Sequence, residues 1–449
     1  MVNSKKIINH LLKITTNTKT DSSDHLKHFN HWWMNEGIIV ELDEESVKDK
    51  NEILREIFQD PFVKNNFPVP FIEDQINRMI SLSFKLPLEE RPKFFVEQIK
   101  EFPDNLKKSI KEWTIIVPID NLKIEKKFTI GDVIFYPSDN NQNFDRIVDL
   151  FKEVLKENTH YSNEQKEALI NDQLTVLRDS AKGSLVTFAE VKTKGIIEIA
   201  QNEAMNKIRM SLNIARLYNL PYDGSSRMYF GICGEVIRSN LRYIMRYESG
   251  KPSLRPRMER TGFVLPFEFT EKRLQFMKEN GFSDLESIFV AKKQTDFEKR
   301  LLTSIYWYGE AINTEIHFDS KDNLESSSDF THLQYFNLNQ QFLKLMVALE
   351  SILLFDENEP ITNNIAERTA FLLANCFNGR KKVKRIIKEL YTKRSGIVHH
   401  GKSIITPWDL GQLSWIVQNT IFKLIKLNKT IPLKDKKDLQ EYLEELKLR

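Results

Sequence analysis

The chain has 449 residues, of which 41% are hydrophobic and 29% charged, a balance typical of a folded globular protein. A chain of this length is too long to fold around one ordinary hydrophobic core, so two or three domains are expected. A net charge of +3 is too small to indicate nucleic-acid binding by itself. The two cysteines, Cys233 and Cys376, exclude a disulfide framework or a cysteine-rich zinc site and fit a reducing cytoplasm.

The amino-terminal part carries only a short apolar run, and no segment approaches the roughly 18 to 20 apolar residues of a membrane span. We therefore expect a soluble, cytoplasmic protein without a membrane partner. His25 and His28 could share one helical face, with His31 nearby. Surface histidines beside aromatic residues are commoner than such a metal site, so we predict no metal ion and no other cofactor.

Residues 1–290 mix helical and strand patterns, which predicts an α+β region of one or two subdomains. Helices are predicted at the amino terminus, up to about residue 59, over 143–180 and over 195–218. Strands are predicted over 37–42, 113–118, 185–191, 227–231, 241–247 and 262–269, with a hairpin over 127–136 that turns at Gly131-Asp132. Because no P-loop, Rossmann fingerprint or nucleophile elbow occurs, we expect a sensing, substrate-positioning or dimerising role.

Residues 291–449 carry helical patterns alone, and their short connections predict an antiparallel helical bundle. Asn378-Gly379 suits a left-handed cap at the end of the third helix. Thr406 is the predicted N-cap of the fifth helix, with Pro407 at its first position. The predicted helices include residues 297–312, 338–353, 365–376, 379–391, 407–424 and 435–446.

The fourth of these helices carries a charge on its apolar face. Its stripe includes Ile387, Leu390 and Tyr391, and the next position on the same face is Arg394. A guanidinium is costly away from water unless it meets a carboxylate, a phosphate or a solvated cleft. Arg394 therefore needs a partner.

His399 follows five residues after Arg394, an offset that points the two side chains apart in a continuous helix. Gly396 gives the backbone freedom to leave helical geometry, so we predict a turn or a frayed helix end there. Held together, the pair could cleave RNA without a metal, because imidazole transfers protons near neutral pH and guanidinium binds the growing phosphate charge. A chance spacing is the competing interpretation.

Three separated segments carry a family resemblance. The run Leu390-Tyr391-x-x-Arg394-Ser395-x-Ile397-Val398-His399-x-Gly401 resembles the Arg-x4-6-His motif of HEPN domains, more closely that of their Apea-like branch. Ala348-Leu349-Glu350 and Glu367-Arg368-Thr369-Ala370 are similar to other marked helices of that family. The resemblance covers about the last third of the chain.

The resemblance implies an all-α HEPN-like bundle that acts as a metal-independent endoribonuclease. HEPN domains commonly pair so that two Arg/His motifs form a composite site, and many belong to defence and toxin systems. We therefore expect a homodimer that cleaves tRNA or mRNA in bacterial anti-phage defence, by abortive infection, once a phage-derived trigger is sensed. Arg394 and His399 would be the catalytic residues, and attack by the ribose 2′-hydroxyl would leave a 2′,3′-cyclic phosphate.

Supporting residues surround this motif. Glu350 and Arg368 each lie on the apolar stripe of a helix, so the simplest interpretation pairs Glu350 with Arg368 or with Arg394. The functional alternative is that they orient Arg394 toward the phosphate. Tyr391 is expected in the core, with a hydroxyl that could reach the cleft.

Two positions of the motif are ambiguous. Ser395 could donate a hydrogen bond to a phosphate oxygen, although asparagine is frequent there in the family. The doublet His399-His400 leaves the catalytic histidine open, since the spacing matches His399, while His400 would be exposed or face the other protomer.

The window from 379 to 402 has nine basic residues against the single acid Glu389, a local net charge of +8. This excess could attract a phosphate backbone, and a solvated polar helix face is the alternative. We assign RNA binding to Arg380, Lys381, Lys384, Arg385, Lys388, Lys393 and Lys402.

Two other functions fit the same residues. A non-catalytic HEPN module would bind RNA or a partner protein through the basic face. An antitoxin-like dimerisation scaffold would use Arg394 and Glu350 as a plain structural pair.

Overall fold

The computed structural model describes residues 3–18, 32–35, 38–137, 148–149, 152, 161–180, 186–219, 230–232, 242–246, 255–259, 267–313, 328–356, 358–400 and 404–448. The chain forms two compact units. The first contains Met1–Ile115 and Lys192–Met205, and the second contains Ile116–Val191 and Asn206–Arg449. The domain boundary near residue 290 stays a prediction.

The first unit is mainly helical. It contains α1 (Ser4–Asn17), β1 (Trp32–Asn35), β2 (Ile38–Glu41), α2 (Glu44–Ile57), α3 (Pro61–Asn66), α4 (Val69–Ser83) and α5 (Arg91–Ser109). Strands β1 and β2 pair antiparallel, and the apolar faces of the helices share one core around Leu11, Ile53 and Phe95.

The helices between residues 61 and 109 were not predicted from the proline-rich sequence. Pro61 stands in the first turn of α3, and α4 and α5 likewise have a proline in their first turn. Proline is tolerated there because the first backbone N–H groups of a helix have no intrahelical acceptor. Prolines at this spacing therefore mark helix starts as readily as turns.

The strands before residue 270 confirm the α+β prediction. The elements are β3 (Lys111–Asp120), β4 (Leu122–Lys123), β5 (Phe128–Ile130), β6 (Val133–Phe135), α6 (Asn163–Ser180), β7 (Val186–Gly195), α7 (Ile197–Leu217), β8 (Gly231–Ile232), β9 (Arg242–Arg246), β10 (Arg255–Glu259) and β11 (Phe267–Glu268). One five-stranded sheet has the order β5-β6-β7-β3-β8. The predicted hairpin is confirmed, because β5 and β6 pair antiparallel around Gly131, whose φ is +60°.

The described residues form helices only after residue 270, about twenty residues earlier than the predicted change near residue 290. They are α8 (Glu271–Glu279), α9 (Phe282–Val290), α10 (Asp296–Ile312), α11 (Ser328–Leu353), α12 (Ile361–Leu373), α13 (Phe377–His400), α14 (Pro407–Thr430) and α15 (Lys436–Leu448). Thr406 caps α14 as predicted, and its hydroxyl and the Asp409 carboxylate form a reciprocal capping box. No described helix combines the length and the apolar character that a membrane span requires.

Two predicted breaks are wrong. Helix α12 ends at Leu373, and Ala374 leaves the helix with extended backbone. Among the described glycines only Gly131 and Gly281 have a positive φ, so Gly379 forms no left-handed cap and lies in the first turn of α13. Helix α13 also continues through Gly396 to His400. A glycine within a helix costs only about 1 kcal/mol relative to alanine, which a packed helix tolerates.

Candidate functional site

Helix α13 presents one buried face to the bundle, where it packs against α12 and α11. Ile387, Leu390 and Tyr391 are buried on this face, as their periodicity predicts. Arg394 is the next residue on the stripe, and 29% of its side chain is exposed. The guanidinium therefore lies where the buried face of α13 meets solvent.

The partner of Arg394 is Glu350 of α11. Its Oε1 lies 3.0 Å from the Arg394 Nε, and its Oε2 accepts a hydrogen bond of 3.3 Å from Nη2. The Tyr391 hydroxyl donates a 3.0 Å hydrogen bond to Oε1. One of the two predicted pairings of Glu350 is thus present.

The Arg394 guanidinium retains donors that Glu350 does not use. Its Nε is buried against Oε1 of Glu350 and is not available to a ligand, whereas Nη1 bonds to no residue that the structure describes. Burial, with the Glu350 charge beside it, raises the pKa of Tyr391 far above its ordinary value. Tyr391 is therefore a neutral hydrogen-bond donor near neutral pH.

Arg368 does not pair with Glu350, so that predicted alternative is wrong. It forms a two-bond ion pair with Glu359, with Nη1–Oε1 at 2.6 Å and Nη2–Oε2 at 2.7 Å. Burial opposes ionisation of Glu359, but bonds from Arg368 and from the Phe355 N–H outweigh it and lower the pKa of Glu359 to about 2. Glu359 lies between α11 and α12, where helix periodicity could not identify it.

Three cations from three helices cap the carboxyl end of α11. Arg368 of α12 donates to the Leu353 carbonyl, Arg300 of α10 to that of Leu354, and Lys436 of α15 to that of Phe355. These carbonyls have no intrahelical donor, and cations there also complement the helix dipole. Since Glu350 lies one turn earlier, this cap fixes the helix end that holds Arg394.

The same helix end borders an open cavity of about 600 Å³. Glu350, the residue that holds Arg394, is one of its lining residues. Arg300, Phe355 and Lys436 are further lining residues.

His399 lies on another side of α13 from Arg394. Because the helix is continuous, five residues separate the two Cα atoms by about 7.5 Å along the axis and about 140° around it. His399 is exposed, and so is Ser395. The side chain of His400 lies outside the described residues. One chain therefore does not bring the guanidinium and the imidazole side by side through a turn at Gly396.

The predicted RNA-binding residues fall into two groups. Four have partners: Lys393 contacts Asp409 at 2.6 Å, Lys384 contacts Glu367 at 3.1 Å, Arg385 contacts Glu389 at 3.7 Å, and Arg380 donates to the Ala374 carbonyl at 3.1 Å. Lys381 and Lys388 are exposed without a partner among the residues described, and Lys402 lies outside them. The free basic surface is smaller than the charge count suggests.

Asp409 was not predicted as part of this region. Burial opposes its ionisation, but hydrogen bonds from Lys393 and Thr406 outweigh burial and lower the pKa of Asp409. It links the start of α14 to the position on α13 that precedes Arg394. The three-residue spacing between Thr406 and Asp409, typical of a capping box, was the sequence feature that could have identified Asp409.

The HEPN resemblance rests on the sequence motifs alone, because no comparison with known proteins found a match. The chain matches no protein-family model, no curated protein and no solved structure. Among the described residues, no group of three or more His, Cys, Asp or Glu side chains could hold a metal ion.

Proposed function

We propose that the protein is a HEPN-type, metal-independent endoribonuclease. Its expected setting is the bacterial cytoplasm, in anti-phage defence by abortive infection. The observation that carries the proposal is the state of Arg394: Glu350 holds it at a solvent edge through Nε and Nη2, while Nη1 bonds to no residue that the structure describes. A guanidinium in this state can bind a phosphate without giving up its anchor.

The chemistry follows from the two residue types. His399 would take the proton of the ribose 2′-hydroxyl or give one to the leaving 5′-oxygen. Arg394 would stabilise the charge that builds on the phosphate as the 2′-oxygen attacks phosphorus. The products would be a 2′,3′-cyclic phosphate and a 5′-hydroxyl. RNA is the substrate because the 2′-hydroxyl is the nucleophile.

Because α13 is continuous from Phe377 to His400, one chain alone does not bring Arg394 and His399 together. Within one chain Arg394 and His399 face about 140° apart. A homodimer that brings two copies of α13 together would supply both groups to one phosphate from two chains. We therefore retain the homodimer in the proposal and place the catalytic pair across its interface.

The test is cleavage of total tRNA and mRNA by the full chain in excess EDTA. Arg394→Ala and His399→Ala should each abolish cleavage, and the wild-type products should carry cyclic phosphate ends by mass spectrometry. His400→Ala decides which histidine of the doublet acts. Arg55→Ala is the matched control, because Arg55 is an exposed arginine of α2 whose one ion-pair partner among the described residues is Glu52.

Each variant must first show an unfolding midpoint close to that of the wild type. Arg394→Lys provides a folded comparison if the alanine variant is unstable, since it keeps the charge and loses the planar donor set. Equal cleavage by wild type and by folded Arg394 and His399 variants would refute the assignment. Absence of wild-type cleavage on both RNA classes, with and without phage-infected extract as a trigger, would refute the enzyme.

A second candidate is favoured by the same ion pair. If Arg394 serves only to pair with Glu350, the bundle is a non-catalytic module that binds RNA or protein, or a dimerisation scaffold. The contact with buried Tyr391 supports this alternative because it ties the pair into the core. It predicts a loss of stability in Arg394→Ala and no cleavage to lose.

A further inference from the structure

Helix α14 has a narrow solvent face of unusual composition. Its opposite face is buried through Leu413, Val417 and Ile421. The residues of the solvent face recur every three or four positions, and we call them the α14 stripe: Trp408, Gln412, Trp415, Asn419, Lys423 and Lys426. Trp408 is 64% exposed and Trp415 is 42% exposed. Two large aromatic rings are thus held in water on one regular helix.

The two rings share one side of the helix. Trp408 and Trp415 are seven residues apart, which is about 20° short of two full helical turns. Their positions therefore lie one above the other on the helix, about 10 Å apart along its axis. Gly411 lies between them, and a Cβ at that position would meet no atom within 4 Å. The surface between the rings is therefore open. Because this separation is about three times the 3.4 Å rise of a stacked strand, each ring can take a base of its own.

The charge along the α14 stripe has one sign. It contains two lysines and no acid. Lys423 has no partner among the residues described, and Lys426 has only a 3.4 Å contact with the side chain of Asn280. The nearby Asp409 is buried and paired with Lys393, so it does not offset the lysines. The Lys393–Asp409 pair also places the start of the stripe beside the segment of α13 that carries Arg394.

We propose that the α14 stripe is a binding surface for single-stranded RNA. Trp408 and Trp415 would stack on unpaired bases, and Lys423 and Lys426 would contact phosphates. The Gln412 amide and the Asn419 Oδ1 would bond to base or sugar, since the Asn419 Nδ2 already donates to the Trp415 carbonyl at 2.8 Å. That the nucleic acid is RNA rests on the proposed function. The stripe would select unpaired segments, because a duplex hides the base faces that an aromatic ring needs.

A second copy of the chain fits the stripe less well. The core of a protein interface is depleted of lysine, and each lysine buried there needs a carboxylate. Four of the six stripe residues are amides or lysines, and the stripe has no acid to offer to the lysines of a symmetric copy. Phosphates supply that missing negative charge.

The test uses fluorescence polarisation of a labelled 12-nucleotide 2′-O-methyl oligouridylate with the full chain. This oligonucleotide lacks the attacking hydroxyl, so binding is measured without cleavage. Trp408→Ala and Trp415→Ala should each weaken binding by about fivefold or more. Phenylalanine at either position should restore most of the affinity, because stacking needs only an aromatic face. Phe377→Ala is the matched control, since Phe377 is a 78% exposed aromatic residue outside the stripe.

Further arms separate the alternatives. Binding of a 12-base-pair RNA duplex should be unchanged by both tryptophan variants. The proposal is overturned if wild type fails to bind the single strand, or if alanine variants bind it as wild type does. It is equally overturned if light scattering shows that these variants dissociate an oligomer while affinity per chain is kept, because the stripe then joins two copies. If the tryptophan variants lose single-strand binding but no Arg394-dependent cleavage is found, the proposed ribonuclease is refuted and the proposal for the α14 stripe stands.

Discussion

The ion pair between Glu350 and Arg394 can be tested by a double-mutant cycle with Glu350→Gln and Arg394→Gln. Removing one member of a buried ion pair costs about 3–5 kcal/mol. The Glu350 side chain is 14% exposed and that of Arg394 is 29% exposed, so water can reach the group left behind. We therefore expect each single substitution to cost about 1–3 kcal/mol, with a coupling energy of at least about 1 kcal/mol.

The assay is urea unfolding followed by fluorescence and circular dichroism, with activity measured on the same samples. The two compact units make a single transition unsafe to assume, so both probes are needed. The control cycle uses Arg385 and Glu389, an exposed pair of the same helix with atoms 3.7 Å apart. Surface pairs of this spacing couple by about 0.3–0.5 kcal/mol.

The two readouts separate the competing roles of the pair. A catalytic Arg394 predicts that Glu350→Gln lowers kcat by about tenfold to a hundredfold, because the guanidinium loses its position. A purely structural pair predicts the coupling in stability alone. A coupling energy no larger than that of the control pair would refute the reasoning that this ion pair holds the site.

Two further predictions concern protonation. Because the pKa of Glu359 is lowered to about 2 beside Arg368, its stabilisation is present above pH 4.5 and is lost as the pH falls through 2. Glu359→Gln should therefore cost roughly 3 kcal/mol at pH 7 and flatten the acid limb of the stability profile, and an unchanged acid limb would contradict the assignment. The raised pKa of Tyr391 makes its contribution complete below pH 10 and progressively lost above it, so Tyr391→Phe should reduce the alkaline slope by up to about 1.4 kcal/mol per pH unit in urea titrations. If Tyr391→Phe had the same alkaline slope as wild type, Tyr391 would ionise as freely in the folded chain as in the unfolded chain, and the raised pKa would be wrong.

Local patterns were sufficient for most of the helices and for the hairpin. The stripe through Ile387, Leu390 and Tyr391 identified the buried face of α13, and the same step identified Arg394 as a charge at its edge. Thr406 and Pro407 marked the start of α14 for an equally local reason, since a cap bonds within its own first turn. The breaks predicted at Gly379 and Gly396 were wrong because a glycine permits a break in a helix without requiring one.

The sequence by itself therefore determined the mixed amino-terminal part, the helical carboxyl-terminal part and the need of Arg394 for a partner, because these depend on periods of two and 3.6 residues within one element. Only the tertiary structure decided that Glu350 meets Arg394 while Glu359 meets Arg368. That choice depends on how α11, α12 and α13 pack against one another and on where the short connection between α11 and α12 places Glu359. The same packing leaves Trp408 and Trp415 in solvent, which no pattern within α14 could distinguish from burial against a neighbouring helix.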